Sequence, residues 1–146
     1  MRPIAILLLI CLTVGCQPKA LTPINQLIGK VWKAQSVKEN TVTVYTEGAS
    51  SNVRPGYTRF RLDLSRPDKA ILIDIDGRTT TGTWSLSTDN QRLILENLEP
   101  KPSATIGTIE YYILGTPTAT DLQLQRTAES RKTGNSVNEY VLKPEG

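Results

Sequence analysis

From residue 31 onward, apolar and polar residues alternate in short runs. Residues 59–64 are the clearest case, because Phe60, Leu62 and Leu64 share one face of an extended chain and charged side chains occupy the other. Similar runs, rich in β-branched and aromatic residues, predict about nine short strands. The predicted strands cover residues 31–37, 41–45, 57–64, 70–76, 79–87, 92–98, 105–114, 121–126 and 137–142.

Short turns join most of these strands. Asp76 and Gly77 form a strong hairpin signal, because glycine accepts a positive φ. No long helical pattern separates the strands, so a parallel βαβ arrangement is not expected. An up-and-down antiparallel barrel fits the short connections and leaves no exposed sheet edge. A sandwich is the alternative, but it requires more long crossing connections than this chain offers.

A single short helix is predicted ahead of the first strand. Thr22 suits the N-cap, Pro23 suits the first helical position, and Gly29 ends the segment. The apolar residues of 24–28 fall on one face of this helix. We expect it to cover one end of the barrel.

The N-terminus has the features of a cleaved secretory signal. Arg2 supplies a positive charge, residues 4–12 are apolar, and residues 13–16 end in Gly15 and Cys16. The apolar run is too short for a membrane-spanning helix, which needs about 20 residues. Residues 13–16 resemble the lipobox of bacterial lipoproteins, which implies cleavage between Gly15 and Cys16 and lipidation of the Cys16 sulfur, with fatty acyl chains such as palmitate. The alternative is an ordinary signal peptide that is cleaved elsewhere, with Cys16 incidental.

These features predict three regions: a cleaved signal at 1–15, a lipidated tether at 16–22 and one β-barrel domain at 23–146. Cys11 leaves with the signal and Cys16 is acylated, so the mature domain has no disulfide. The 17 basic and 14 acidic residues form no basic stripe, so nucleic-acid binding is not expected. The chain contains no histidine, which excludes histidine-based general base catalysis and the usual zinc sites.

Three aspartates are candidates for carboxylate chemistry. Alternation in residues 70–76 predicts isoleucines pointing inward and Asp74 and Asp76 pointing outward, with Asp63 on a neighbouring strand. Paired carboxylates can perform acid–base chemistry or bind calcium. The alternative is a solvated outer face on which Arg59 and Arg61 neutralise the aspartates across strands.

The tyrosines raise a similar choice. Tyr111 and Tyr112 must point to opposite faces of one strand, so we expect one in the core and one outside. Together with Tyr57 and Tyr140, the outer tyrosine is a candidate for an exposed aromatic patch. Core packing of these rings is the alternative.

Several short motifs resemble the lipocalin-like lipoproteins of Bacteroidetes-type bacteria, over roughly residues 27–142. The motifs are Gly29–Lys33, Phe60–Leu62, Asp76–Gly77, Gly82–Leu86, Leu93–Leu95 and Asp121–Leu124. The resemblance implies a lipocalin-like barrel of about eight strands on a lipid anchor. It also implies that Trp32 packs at the base of the barrel under an arginine from a late strand. Arg126, in phase with Leu122 and Leu124, is the candidate for this closing contact, and the alternative is that Arg126 points to solvent.

We therefore expect a lipid-anchored protein of the outer membrane of a Gram-negative bacterium, facing the periplasm. The barrel and the anchor favour a binding or carrier role for a small apolar or amphipathic ligand. The alternative is a structural or protein-interaction lipoprotein with a filled barrel, which uses its outer face or the loops at 48–56 and 128–135. Neither an enzymatic activity nor a cofactor is expected.

Overall fold

The computed structural model describes residues 20–103 and 106–146. The predicted signal peptide, the cleavage site at Gly15 and the lipidation site at Cys16 lie outside the described residues. The chain forms one short helix, α1 (Ile24–Ile28), and nine strands. The strands are β1 (Val31–Glu39), β2 (Val42–Thr46), β3 (Arg61–Arg66), β4 (Lys69–Ile73), β5 (Thr79–Leu86), β6 (Arg92–Glu99), β7 (Ile109–Leu114), β8 (Leu122–Arg126) and β9 (Asn138–Pro144).

The strands form a closed antiparallel barrel, as the sequence predicts. Each strand from β3 to β9 pairs with its neighbour in the chain, and β1 pairs with both β3 and β9 to close the ring. Eight strands make the barrel, and β2 is an extra strand outside it. The short connections between consecutive strands explain this topology, because an antiparallel pair needs only a hairpin turn.

Strand β1 changes partner along its length. Val31–Lys33 pair with β3, whereas Ser36–Glu39 pair with β2 on the same edge. A short 3₁₀ turn, Pro55–Arg59, returns the chain from β2 to β3. The fork lets β2 extend the sheet at one end without interrupting the barrel.

Inward side chains of the barrel make one apolar core. Leu62 and Leu64 of β3 are buried, as the alternation predicts. The inward face predicted for β4 is wrong: Ala70, Leu72 and Asp74 point inward instead of the isoleucines. Leu72 lies directly opposite Leu62, and residues opposite one another on antiparallel strands share a face. Pairing with β3 therefore sets the phase of β4, and a slip of one residue exchanges its two faces.

The two ends of the barrel differ. At the helix end lie α1 and the turns that follow β3, β5 and β7. At the loop end lie the 74–78 turn, the 3₁₀ turn Pro55–Arg59 and residues 128–137, which we call the capping segment. Within residues 20–103 and 106–146, no helix has the length and apolar character needed to cross a membrane.

Candidate functional site

Aromatic rings occupy the barrel near its loop end. The Tyr140 ring stacks on Phe60 at a centroid distance of 4.9 Å, and meets Tyr111 edge-on at 5.9 Å and Tyr57 at 6.2 Å. All four rings are buried, whereas Tyr112 is 48% exposed. The expected split between Tyr111 and Tyr112 is therefore confirmed. Tyr57 and Tyr140 form no exposed patch and pack in the core, which is the alternative that the sequence offers. Rings from the 3₁₀ turn, from Phe60 directly after it, and from β7 and β9 instead fill this cross-section of the barrel.

The three tyrosine hydroxyls at this level stay protonated. Burial raises the pKa of Tyr111 and of Tyr140 above the ordinary tyrosine value. Burial also raises the pKa of Tyr57, and the nearby Glu39 carboxylate raises it further. These hydroxyls can therefore donate hydrogen bonds at neutral pH.

At the helix end, an open cleft of about 770 Å³ lies between α1 and the turns after β3 and β5. Its lining includes apolar side chains from α1, β3 and β5, and polar side chains from the same elements and the two turns. The lining residues are Pro23, Ile24, Asn25, Gln26, Gly29, Leu64, Ser65, Pro67, Asp68, Trp84, Ser85, Leu86 and Asn90. Trp84 and Leu86 are half-buried, and the Trp84 Nε1–H donates to the Arg66 carbonyl oxygen at 2.9 Å, which fixes the indole ring in the wall.

Trp32 fixes α1 on the same end of the barrel. Its ring is fully buried, and its Nε1–H donates to the Ile28 carbonyl oxygen at 2.8 Å. The Lys30 ammonium lies 5.5 Å from the centroid of the Trp32 ring and donates to the Ala119 carbonyl oxygen at 2.8 Å. These contacts hold the helix that forms one wall of the cleft.

The structure does not bring Trp32 and Arg126 together. Trp32 lies opposite Pro144 at the end of β9, whereas β8 pairs Gln125 with Glu139 near the start of β9. At about 3.3 Å per residue, the intervening strand separates the two sites by roughly 20 Å. Arg126 instead donates from Nε to the Ala128 carbonyl oxygen at 3.2 Å. Lys30 takes the place next to Trp32 that the resemblance assigned to Arg126.

At the loop end, two of the candidate aspartates share one cation. Lys132 Nζ lies 3.2 Å from Asp74 Oδ2 and 3.1 Å from Asp76 Oδ2. Asp74 is buried and belongs to the inward face, which contradicts its predicted outward position. Asp63 is not part of this group, because its Oδ1 accepts from the Ser65 amide N–H at 2.9 Å.

The sequence offers Arg59 and Arg61 as cations that neutralise these aspartates, but in the structure neither arginine does so. Arg59 donates from Nη2 to the Ile75 carbonyl oxygen, and Arg61 pairs with Glu145. Burial disfavours ionisation of Asp76, but the Arg78 amide N–H and the Lys132 ammonium together hold the pKa of Asp76 below its usual value. Lys132 was not among the predicted site residues, since a loop lysine carries no local sign of the distant carboxylates it meets.

A buried polar network lies beside this ion pair. Ser136 Oγ donates to Asn138 Oδ1 at 2.5 Å, and Thr133 Oγ1 lies 2.7 Å from Ser136 Oγ. Asn138 donates from Nδ2 to the Tyr57 hydroxyl oxygen at 3.3 Å, and Tyr57 donates to Glu39 Oε1 at 3.2 Å. The network joins the capping segment to the tyrosine level of the barrel. Among the described residues, no group of three His, Cys, Asp or Glu side chains could hold a metal ion.

Comparison with known proteins gives structural similarities only. No protein-family model and no curated protein sequence matches the chain. A crystal structure of a lipocalin-like protein from Bacteroides uniformis is similar over 81% of this chain and 98% of that chain, with 15% identity and a TM-score of 0.45. A crystal structure of an uncharacterized protein from Bacteroides eggerthii is similar over 79% of this chain and 97% of that chain, with 11% identity and a TM-score of 0.44.

Proposed function

We propose that this protein is a lipid-anchored lipoprotein of the bacterial outer membrane that binds a small apolar or amphipathic molecule in the helix-end cleft. The proposed role is binding without catalysis. The observation that carries the proposal is the cleft itself, whose volume of about 770 Å³ falls in the range of about 300–1,000 Å³ typical of small-molecule sites.

The character of the cleft fits an amphipathic occupant. Ile24, Trp84 and Leu86 are only partly buried, so an apolar chain that covered them would remove further apolar surface from water. The polar side chains of Asn25 and Asn90 line the same cleft and can bind a polar headgroup by hydrogen bonds. The aromatic packing at the loop end leaves the helix end as the better place for a ligand.

The short distance along the chain between the cleft and Cys16 favours the bilayer as the source of this ligand. Pro23 lines the cleft, and Cys16 precedes it by seven residues, which span at most about 25 Å when extended. If Cys16 is the acylated residue and Gly15 the last residue of the signal, the cleft lies close to the membrane surface. An amphiphile from the bilayer then has a short path to the cleft. We propose that the domain faces the periplasm.

The anchor is tested by membrane fractionation of cells that express the wild type or Cys16→Ser. We expect the wild type in the membrane pellet and Cys16→Ser, expressed behind a signal peptide whose cleavage does not depend on this cysteine, in the soluble periplasmic fraction, because several acyl chains on one N-terminus hold a protein firmly. Blocking lipoprotein signal cleavage with globomycin should cause the precursor to accumulate. If Cys16→Ser stays in the pellet, the anchor proposal is wrong.

Ligand binding is tested on the soluble Cys16→Ser protein with the fluorescent apolar probe N-phenyl-1-naphthylamine and with native mass spectrometry against single-chain amphiphiles. We expect saturable probe binding that Leu86→Glu weakens at least tenfold, because an apolar chain that covers this part of the wall would remove the new carboxylate from water. Val42→Glu is the matched control, since Val42 is 58% exposed on β2, away from the cleft. Equal effects of the two substitutions would rule out the cleft as the site.

A second function is favoured by the packed aromatic level of the barrel. A structural or interaction lipoprotein needs no cavity and uses its outer face or loops. Chemical cross-linking in intact cells, followed by purification from detergent-solubilised envelope, tests this alternative. A stoichiometric protein partner, together with no probe binding by the soluble protein, would favour it over the binding role.

A further inference from the structure

The capping segment is a compact unit built on its own hydrogen bonds. The Ser130 amide N–H donates to the Ser136 carbonyl oxygen at 2.8 Å, and the Asn135 N–H donates to the Ser130 carbonyl oxygen at 2.9 Å. Gly134 and Asn135 both have positive φ, which reverses the chain between these bonds. Segments of this kind, with close ends and internal packing, are Ω-like loops that can keep their shape when they move.

No large apolar side chain fastens this segment to the core. Its buried residues within the described chain are Ser130, Thr133 and Ser136, and all three carry hydroxyl groups. The nearest core residues along the chain are Leu124 before it and Tyr140 after it. Regions with few buried apolar contacts open at a lower free energy than the rest of a fold. Water can replace hydroxyl contacts, whereas it cannot replace apolar packing.

Polar contacts hold the segment over the loop end of the barrel. Lys132 reaches Asp74 and Asp76, and the Thr133 and Ser136 hydroxyls meet the Asn138 side chain. Lys132 Nζ is buried. Although both carboxylates are close to it, Nζ makes no well-aligned hydrogen bond to any atom in the described part of the chain. The ion pair therefore lacks the directional bonds that make charge-assisted contacts strong.

Polar groups of the aromatic level lie next to the segment. Asn138, Tyr57 and Tyr140 are joined through the Asn138 amide, whose Nδ2 lies 3.3 Å from the Tyr57 hydroxyl and 3.4 Å from the Tyr140 hydroxyl. Such groups remain hydrogen-bonded when water reaches them, so exposing them costs less than exposing an apolar core.

We propose that the capping segment is a lid that swings as one unit about its two ends, with the Lys132 ion pair to Asp74 and Asp76 as its latch. The open lid gives access to the polar level at Tyr57, Tyr140 and Asn138, at the opposite end of the barrel from the helix-end cleft. The lid does not depend on ligand binding in that cleft or on the lipid anchor.

Movement of the lid is tested by distance measurements between spin labels. The Cys16→Ser protein without its signal has no other cysteine, so Arg131→Cys on the lid and Thr41→Cys on the β1–β2 turn provide one labelled pair, at two exposed positions. Thr41→Cys with Thr79→Cys provides a reference pair in which neither label lies on the lid. We expect a minor second distance for the lid pair and one narrow distance for the reference pair.

Lys132→Met, added to each labelled pair, should raise the ratio of open to closed lid at least tenfold and leave the reference distance unchanged. Lys101→Met is the matched control, because it removes the same charge from an exposed loop position and should alter neither distance. Asp76→Asn, which leaves Lys132 paired with Asp74, should raise the ratio of open to closed lid by a smaller factor. This variant replaces Lys132→Met in the experiment if Lys132→Met does not fold. One unchanging lid distance in all variants, or equal broadening of both pairs, would overturn the proposal.

Discussion

Replacing each tryptophan by phenylalanine tests whether Trp32 holds α1 on the barrel. Trp32 is fully buried and its Nε1–H donates to the Ile28 carbonyl oxygen, whereas Trp84 is partly exposed and donates to Arg66. We expect Trp32→Phe to lower the free energy of unfolding much more than Trp84→Phe. Either variant also leaves a single tryptophan as a fluorescent reporter.

The expected magnitude follows from three contacts. Losing the hydrogen bond costs about 0.5–1.5 kcal/mol, since the Ile28 carbonyl oxygen keeps a second donor in the Lys30 amide N–H at 2.8 Å. Shrinking a fully buried ring leaves a cavity that adds about 1–2 kcal/mol. The weaker contact with the exposed Lys30 ammonium adds about 0.5 kcal/mol or less. The sum for Trp32→Phe is about 1.5–4 kcal/mol, against about 1 kcal/mol or less for Trp84→Phe.

Urea unfolding of the soluble protein, followed by far-UV circular dichroism, measures both values. A loss of about 1.5–4 kcal/mol corresponds to a fall in Tm of roughly 5–15 °C for a domain of this size. Arg126→Met should leave the near-UV spectrum of Trp32 unchanged, whereas Lys30→Met should alter it. Equal destabilisation by the two tryptophan substitutions would refute the reasoning, because burial and helix attachment would then make no difference.

Three further predictions concern the loop end and the sheet. Because the folded pKa of Asp76 is below its ordinary value of 3.8, its contribution to stability is present above about pH 4 and is lost as the pH falls through the folded pKa. Asp76→Asn should therefore flatten the acid limb of a plot of unfolding free energy against pH. An unchanged plot would contradict this. Asn138→Ala should destabilise by about 1–3 kcal/mol in urea unfolding, because it removes the buried hydrogen bonds of the Asn138 amide to the Ser136 and Tyr57 hydroxyls. A loss well under about 1 kcal/mol would mean that water replaces the amide. Gly82→Ala should lower the Tm sharply, since a Cβ there would overlap the Glu96 carbonyl oxygen, whereas Gly107→Ala, where the nearest atom would be 3.8 Å away, should be close to neutral.

The sequence predicted the barrel because its main signals are local. Clean alternation around Leu62 and the turn at Asp76 and Gly77 depend only on neighbours in the chain, and both predictions agree with the structure. The half-buried Trp84 and Leu86 were likewise placed on one face, and this face now lines the cleft. The volume of the cleft was not predictable, because it depends on how closely α1 packs against two distant turns.

Register and long-range pairing were decided only by the tertiary structure. Residues 70–73 are apolar at every position, so alternation allowed either face inward, and pairing of Leu72 with Leu62 selected one. With this register, Asp74 points inward at the loop end of the barrel, where it pairs with Lys132 from a loop that is distant in the chain. The local sequence determined that this chain is a barrel of short antiparallel strands, since period-two alternation and turn residues act between near neighbours. The tertiary structure decided which residues meet at the two ends of the barrel, since contacts between residues far apart in the chain depend on strand register and loop packing.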